Sequence, residues 1–411
     1  MAASPPDLPP HGEVPPRGAS PRTPVLVAHL VYRLDVGGLE TVLANVIDGL
    51  DPGRFRHAVI ALTEVTAFRE RIRAPQVSFH ALGKREGKDL AVWVRLWRLL
   101  RHLRPAILHT LNIATLEGVV PAFLAGVPVR IHAEHGRDSY DLDGSNRKYR
   151  LLRQLLMPLV DRVVPVSHDL ERWLLAQVKV PPAKVRFIMN GIDQELYRPA
   201  HAAESRGGGY PPGFGEPGCR VIGTVGRLWA VKDHANLLRA FALLRQEVER
   251  RSGPGERRRL RLVVVGDGPL RPELTALAAR LEIADAVWIT GWRGDVAVLM
   301  RRFDLFVLSS LAEGSPLTVL EAMATALPVV ATRVGGVADL LAGDDGQLGR
   351  LVPAADPAAL AAAMGRALAD PEWLSRQGRE GRTRVERCFG RERMVAAYRD
   401  LFLAELSTKV P

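Results

Sequence analysis

The sequence predicts an α/β protein in which two doubly wound parallel-sheet domains face each other across a cleft. Apolar runs of strand length alternate with amphipathic helical stretches from Pro24 onward, the pattern left by helices covering both faces of a parallel sheet. The alternation breaks after Tyr197 at a Gly/Pro-rich stretch, HAAESRGGGYPPGFGEPG, and then starts afresh. With 411 residues, 47% hydrophobic and 25% charged, the chain is long enough for two separate cores. These observations give two Rossmann-like halves, residues 24–197 and 218–387, joined by a linker at 198–217 and followed by a last helical segment at 388–411.

Residues 1–23 are rich in Pro and Ala and contain no apolar run, so they are expected to be a disordered tail, neither a signal peptide nor a membrane span. No stretch reaches the ~18 consecutive apolar residues that a spanning helix needs. Two cysteines, Cys219 and Cys388, cannot build a disulfide framework, which favours a reducing, cytoplasmic setting. The net charge of +11 comes from 56 basic against 45 acidic residues, and nearly all the basic ones are Arg. Such a balance suits nucleic acid, an anionic membrane surface or a phosphorylated substrate. The absence of an aromatic RNA-binding signature and of zinc-finger spacing argues against nucleic acid.

PVLVAHLV is the first strand, and YRLDVGGLE places Gly37 and Gly38 where it turns into a helix. A ligand contact and a plain tight turn both account for them. Glu40 and Thr41 stand where a dinucleotide fingerprint would need its third Gly. HAVIALT, VSFHAL, AILHT and VRIHAE read as further strands, with helices expected over 88–102 and 113–125. Ligands in doubly wound sheets bind beyond the carboxyl ends of strands, which singles out His109, Asn112, Glu134, His135 and Gly136. The segment from Lys84 to Arg104 sets Trp93, Trp97 and Leu100 on one face and Arg95, Arg98, Arg101 and His102 elsewhere. The stripe is expected to face the sheet, and the arginines are placed to meet an anionic membrane surface. Ser167 is expected to cap a helix, and KVRFIMNGID to close this half as a strand and an Asn-Gly turn.

CRVIGTVG opens the second half, and its loop GRLWAVKD carries Arg227 and Lys232 before a helix beginning near His234. Two cations there would stabilise negative charge that grows on a leaving group. Gly266 and Gly268 follow a strand, but Arg271 occupies the third glycine position, which argues against a nicotinamide site. VWITGW puts Gly291 and Trp292 at a strand end. DLFVLSS then reads as a buried strand, Ser315 as a cap, Pro316 as the first helical residue, LTVLEAMATA as a helix and LPVVAT as the next strand. The N–H groups that start this helix lack intrahelical partners and the helix dipole adds positive potential, so a diphosphate would be stabilised there. Glu313 and Glu321 bracket that point. Like charge unfits them for phosphate, and they suit hydroxyl groups on either side of it. Gly335 and Gly336 form another turn toward the cleft, and the chain is helical from Pro357.

EGSPLTVLEAMATALPVVAT resembles the signature of family 4 glycosyltransferases of the GT-B fold, in which two glutamates separated by seven residues hold a nucleotide sugar. The resemblance covers nearly the whole chain after the tail. It implies that Glu313 contacts the transferred sugar, Glu321 the nucleotide ribose, and the backbone from Ser315 through Leu317 to Thr318 the diphosphate. It also implies that Arg227 and Lys232 are the family's cationic pair, that the Gly37–Gly38 loop faces the donor diphosphate and acceptor, and that the backbone at Gly291 and Trp292 holds the base. His135 would hydrogen-bond the transferring sugar or the acceptor. Asp141-Leu-Asp143, a DxD pattern without a flanking strand, then reads as a polar loop near the acceptor and not as a metal site. The helix at 388–411 would return to the first domain. VYRLDVGGLE, EHGRDSYDLDGSNRKYR and GRLWAVKD look like the bacterial sugar transferases of exosortase (PEP-CTERM) and exopolysaccharide systems. The implied activity is retaining transfer, without metal or cofactor, from a nucleotide sugar to a glycan or polyprenyl-linked acceptor at the cytoplasmic membrane face. A nucleotide-sugar 2-epimerase of the same architecture and a non-catalytic sugar-nucleotide-binding protein remain open at this point.

Overall fold

The computed structural model describes residues 24–137, 141–200, 209–344 and 346–409. In the first domain, β1 (Val25–Val31), α1 (Gly38–Gly49), β2 (Phe55–Ala61) and β3 (Ser78–Ala81) are followed by α2 (Ala91–Leu103) and β4 (Ile107–Leu111). Then come α3 (Ile113–Leu116), α4 (Val119–Leu124), β5 (Val129–Glu134), α5 (Arg147–Leu156), β6 (Arg162–Pro165) and α6 (His168–Trp173). The six strands form one parallel sheet in the order β3-β2-β1-β4-β5-β6. Strands such as ILHTL are buried at every position, as expected where helices cover both faces. The single helix expected over 113–125 is two short ones. Pro121 has no N–H to bond the carbonyl of Glu117, and the helix breaks there.

KVRFIMNGID does not form the expected strand. Its backbone is spent elsewhere: Val185 bridges to Val163, and Ile192 pairs with Phe389 and Arg391 far along the chain. Of the linker expected at 198–217, residues 201–208 lie outside the described residues, as does the tail at 1–23. Tyr210 and Phe214 pack edge-on against Trp288, and Phe214 is buried, so the end of that stretch belongs to the second domain.

The second domain contains β7 (Arg220–Val225), α7 (His234–Ser252), α8 (Pro254–Arg259), β8 (Leu260–Val265), α9 (Arg271–Arg280), β9 (Val287–Ile289) and α10 (Val296–Met300). It continues with β10 (Leu305–Leu308), α11 (Leu317–Ala324), β11 (Val329–Thr332) and α12 (Val337–Leu340), a small hairpin of β12 (Ala342–Gly343) and β13 (Gly346–Gln347), and β14 (Arg350–Val352). Its six-stranded parallel sheet has the order β14-β11-β10-β7-β8-β9. Three helices close the chain: α13 (Pro357–Leu368), α14 (Pro371–Cys388) and α15 (Arg391–Lys409). The last packs on the first domain, where Phe402 meets Phe55 and His109 at ring-centroid distances of 6.2 and 6.0 Å. Two parallel six-stranded sheets so arranged, with their carboxyl ends turned toward a shared cleft, are the expected two-domain GT-B architecture.

Candidate active site

The cleft is organised by the loop between β10 and α11. It is pinned at its base, where the Leu311 N–H donates to the Val231 carbonyl (2.8 Å) and the Ser309 hydroxyl to the Lys232 carbonyl (2.9 Å). That seam sets Lys232 beside Glu313, with Nζ 2.6 Å from Oε1. The Ser310 hydroxyl donates to the same oxygen at 2.6 Å, so neither contact uses Oε2.

Beyond Glu313 the chain is clamped from both domains. A Cβ on Gly314 would lie 2.0 Å from the His135 carbonyl oxygen, and one on Gly335 would lie 1.7 Å from the Glu313 carbonyl oxygen. Gly335 is also left-handed, at φ +48. Gly336 N–H donates to the Gly314 carbonyl at 3.0 Å, and Asn190 of the first domain donates to the Ser315 carbonyl at 3.0 Å. Held this way, the chain stays extended one residue longer than expected. Pro316, at φ −68 and ψ 116, occupies the N-cap, and α11 starts at Leu317 without a capping side chain. Ser315 is therefore not the cap. Its Oγ and the Thr318 Oγ1 are buried without a partner among the described residues, beside the N–H groups of the first turn.

Gly38 approaches this start from the first domain, since a Cβ there would lie 4.0 Å from Leu317 Cδ1. Gly37 is the N-cap of α1, and the Glu40 carboxylate folds back over it. Burial pushes the Glu40 carboxyl up to about 7, while Arg227 across the cleft opposes the shift. Arg227 also stacks on Trp229, 5.6 Å from the ring centroid. Glycines 266 and 268 back this cationic loop: a Cβ on either would strike the carbonyl of Gly226 or Leu228, at 2.0 and 2.6 Å.

Glu321 is buried within α11, and burial raises its carboxyl to about 7 against the pull of the Tyr197 hydroxyl and Arg71. His135 takes its backbone bond from N–H to Asn112 Oδ1 (2.7 Å), and both ring nitrogens are buried without partners among the described residues. Burial, partly offset by Glu134, lowers the ring to about 4, so it is neutral at neutral pH. Glu134 itself is structural. Burial would raise it, but Arg153 (2.6 Å) and His132 (3.1 Å) hold it near 2. Gly291, at φ +74, lies beside Gly266, and its carbonyl already accepts both the Gly266 N–H and the Thr290 hydroxyl. Trp292 is exposed. Asp141 and Asp143 accept from the N–H groups of Asn146 and Ser145 within their own turn.

Lys232, Glu313, Ser315, Leu317, Thr318, Gly38 and the His135 backbone thus share one corner of the cleft. Glu321 sits deeper along α11, and Gly291 and Trp292 lie toward β9. Ser310, Asn190, Glu40 and Tyr197 escaped the sequence reading. Their partners are 3, 125, 187 and 124 positions away, and only the first spacing is local enough to be read from a motif.

Residues 36–196 match the family described as Glycosyltransferase Family 4, and residues 219–370 match Glycosyl transferases group 1. EpsF of Bacillus subtilis, a putative glycosyltransferase, is 32% identical over 314 residues, covering 74% of this chain and 78% of that one. The chain belongs to the family 4 glycosyltransferases. The Escherichia coli UDP-Gal:alpha-D-GlcNAc-diphosphoundecaprenol alpha-1,3-galactosyltransferase is 29% identical over 257 residues, and the match spans 61% of this chain and 63% of that enzyme. Among solved structures, Anabaena HepE in complex with UDP and glucose superposes with a TM-score of 0.75 over 92% of this chain and 100% of its own. At 18% identity that likeness speaks for the GT-B fold of this glycosyltransferase.

Proposed function

We propose that this glycosyltransferase moves a hexose from a nucleotide-diphosphate sugar to a glycan or polyprenyl-linked acceptor, with retention and without a metal or cofactor. Its setting would be the cytoplasmic membrane face, in exopolysaccharide assembly of the kind associated with PEP-CTERM systems. One observation carries the reading: the uncapped start of α11, with two buried hydroxyls that have no partner among the described residues, lies beside Lys232 and Glu313 in the cleft.

The N–H groups after Pro316 and the hydroxyls of Ser315 and Thr318 receive the diphosphate, and Lys232 and Arg227 stabilise the charge that develops as it leaves. Lys232 then divides its contact between phosphate and Glu313, whose carboxylate orients the hydroxyls of the transferred sugar. Glu321 exchanges the Tyr197 hydroxyl for the ribose. The base lies against the Gly291–Trp292 backbone, and His135, neutral, accepts or donates one hydrogen bond at the sugar or the acceptor. The C1–O bond to the diphosphate breaks and the bond from the acceptor oxygen to C1 forms on the same face. The acceptor proton passes to the departing phosphate oxygen. Domain closure excludes water from this step. The polyprenyl diphosphate named for the E. coli relative supports a lipid-linked acceptor.

The test is a transfer assay with purified protein in chelator, followed by NMR of the product anomeric proton. Retained configuration at full rate is expected. Inversion, metal dependence, or conversion of the donor alone into its 2-epimer would contradict the reading.

A further inference from the structure

We infer that the outer face of α2, α4 and α5 is a docking surface for an anionic lipid bilayer. In a sheet ordered β3-β2-β1-β4-β5-β6, right-handed connections put the helices leading to β4, β5 and β6 on the same side. Their inner residues confirm it. Val92, Leu96 and Leu100 of α2 share a core with Ala122 of α4, and Val119 of α4 shares another with Leu156 of α5.

What these helices turn outward is unusual. At the N-cap of α2 Leu90 is exposed, and on the helix Val94 and Trp97 are, so Trp97 is not part of the stripe facing the sheet as expected. On α4, Val120, Phe123 and Leu124 are exposed, the last at 63%. On α5, Leu151 and Leu155 stand one helical turn apart at 65% and 71%. These three helices and Leu90, the N-cap of α2, hold eight of the fourteen large hydrophobic residues exposed among the described residues. Several of the others, such as Trp229 and Trp292, belong to the cleft already described. Grouped exposure on this scale marks an interaction surface.

Charge names the partner. None of the three helices contains Asp or Glu, whereas α2 carries Arg98 and Arg101 and α5 begins with Arg147 and Lys148. Arg101 stacks on Trp97, 6.0 Å from the ring centroid, which sets its guanidinium at the height of the apolar side chains. The flanking carboxylates Asp89 and Asp161 are taken by Arg95 and by Arg130 and Lys409; Glu117 sits at the break between α3 and α4. Apolar side chains among cations, with few competing anions, fit the boundary between acyl chains and anionic headgroups. α2 and α5 lead back to the starts of β4 and β6 and so run antiparallel to the strands, with their first turns toward the cleft rim. A lipid-borne acceptor would then enter the cleft from beside Leu90 and Arg147.

This surface serves the proposed lipid-linked acceptor, yet its test needs neither donor nor acceptor. The full-length protein is floated with vesicles of phosphatidylcholine alone and of phosphatidylcholine with phosphatidylglycerol. Binding only to the anionic vesicles, weakened by salt, is expected. Leu151→Ser/Leu155→Ser should lower partitioning roughly tenfold or more, as two lost leucine burials require. Arg98→Glu/Arg101→Glu should remove the preference for anionic lipid. Thermal unfolding and turnover of a water-soluble acceptor should stay at wild-type values in both variants. Absence of vesicle binding, binding indifferent to these substitutions, or a wild-type dimer that the leucine variant dissolves would overturn the inference. Failure of glycosyl transfer would leave it untouched.

Discussion

Lys232 has two tasks that a single substitution separates from its neighbours. It neutralises Glu313, whose side chain is only 9% exposed, and it faces the proposed phosphate site. Lys232→Ala is expected to lower kcat by about 10²–10³, the range for losing one preorganised electrostatic stabiliser. Turnover near wild type would remove it from the transition state. Glu321 carries a pH signature. Its carboxyl is raised by burial from 4.5 to about 7, so the folded state holds a proton that the unfolded state has released. The stability this group contributes is present below pH 4.5 and is lost as pH rises through about 7. In the proposed complex ribose hydroxyls would donate to the ionised form, so affinity for the nucleoside diphosphate should rise as pH passes 7, and Glu321→Gln should both weaken and flatten that profile in calorimetry. An unchanged profile in Glu321→Gln would place the ribose elsewhere. The contact between Lys232 and Glu313 was legible because each lies in a local pattern at a strand end. Tyr197, Asn190 and Glu40 were not, since each acts on a residue more than 120 positions away and nothing local in the chain records that pairing.

At the scale of elements, the βαβ unit around α11 was readable from its apolar strand, its Pro and its small-residue helix. Its start was misplaced by one residue because the clamp that extends the chain through Pro316 comes from Gly335, Gly336, Asn190 and His135, on three other elements. Gly335→Ala tests that clamp. The new Cβ would collide with the Glu313 carbonyl, and φ is already left-handed. Thermal unfolding should fall, and donor affinity should fall further than that of a matched destabilised variant elsewhere. Retained affinity would show that the loop is not held by this turn. The docking of α15 rests on Phe402, fully buried against Phe55 and His109; Phe402→Ala should cost about 3–5 kcal/mol in denaturant unfolding.

Across the whole molecule, α15 lies over a buried histidine chain. His29 Nδ1 is 3.1 Å from His109 Nδ1, and His29 Nε2 is 3.0 Å from His57 Nδ1. Burial lowers all three rings, His57 to about 4 and His109 to about 3. Below pH 6.5 the unfolded chain takes up protons that these folded rings refuse, so the stability the rings contribute is full above 6.5 and declines as pH falls toward 4. Replacing His57 and His109 with apolar residues should flatten that decline; an equally steep one would assign it to other groups. The two-domain layout was legible from repeated strand and helix alternation. The seam between domains was not, because KVRFIMNGID looks like a strand and is instead the crossing that Ile192 makes to the start of α15.

The central claim is that the start of α11 captures the diphosphate of an activated sugar. The direct measurement is a crystal structure with whichever of UDP, GDP or ADP best protects the protein against thermal unfolding. The account predicts phosphate oxygens within hydrogen-bond reach of the backbone from Ser315 to Thr318 and of Lys232. A nucleotide bound with its phosphates away from that helix start would contradict it.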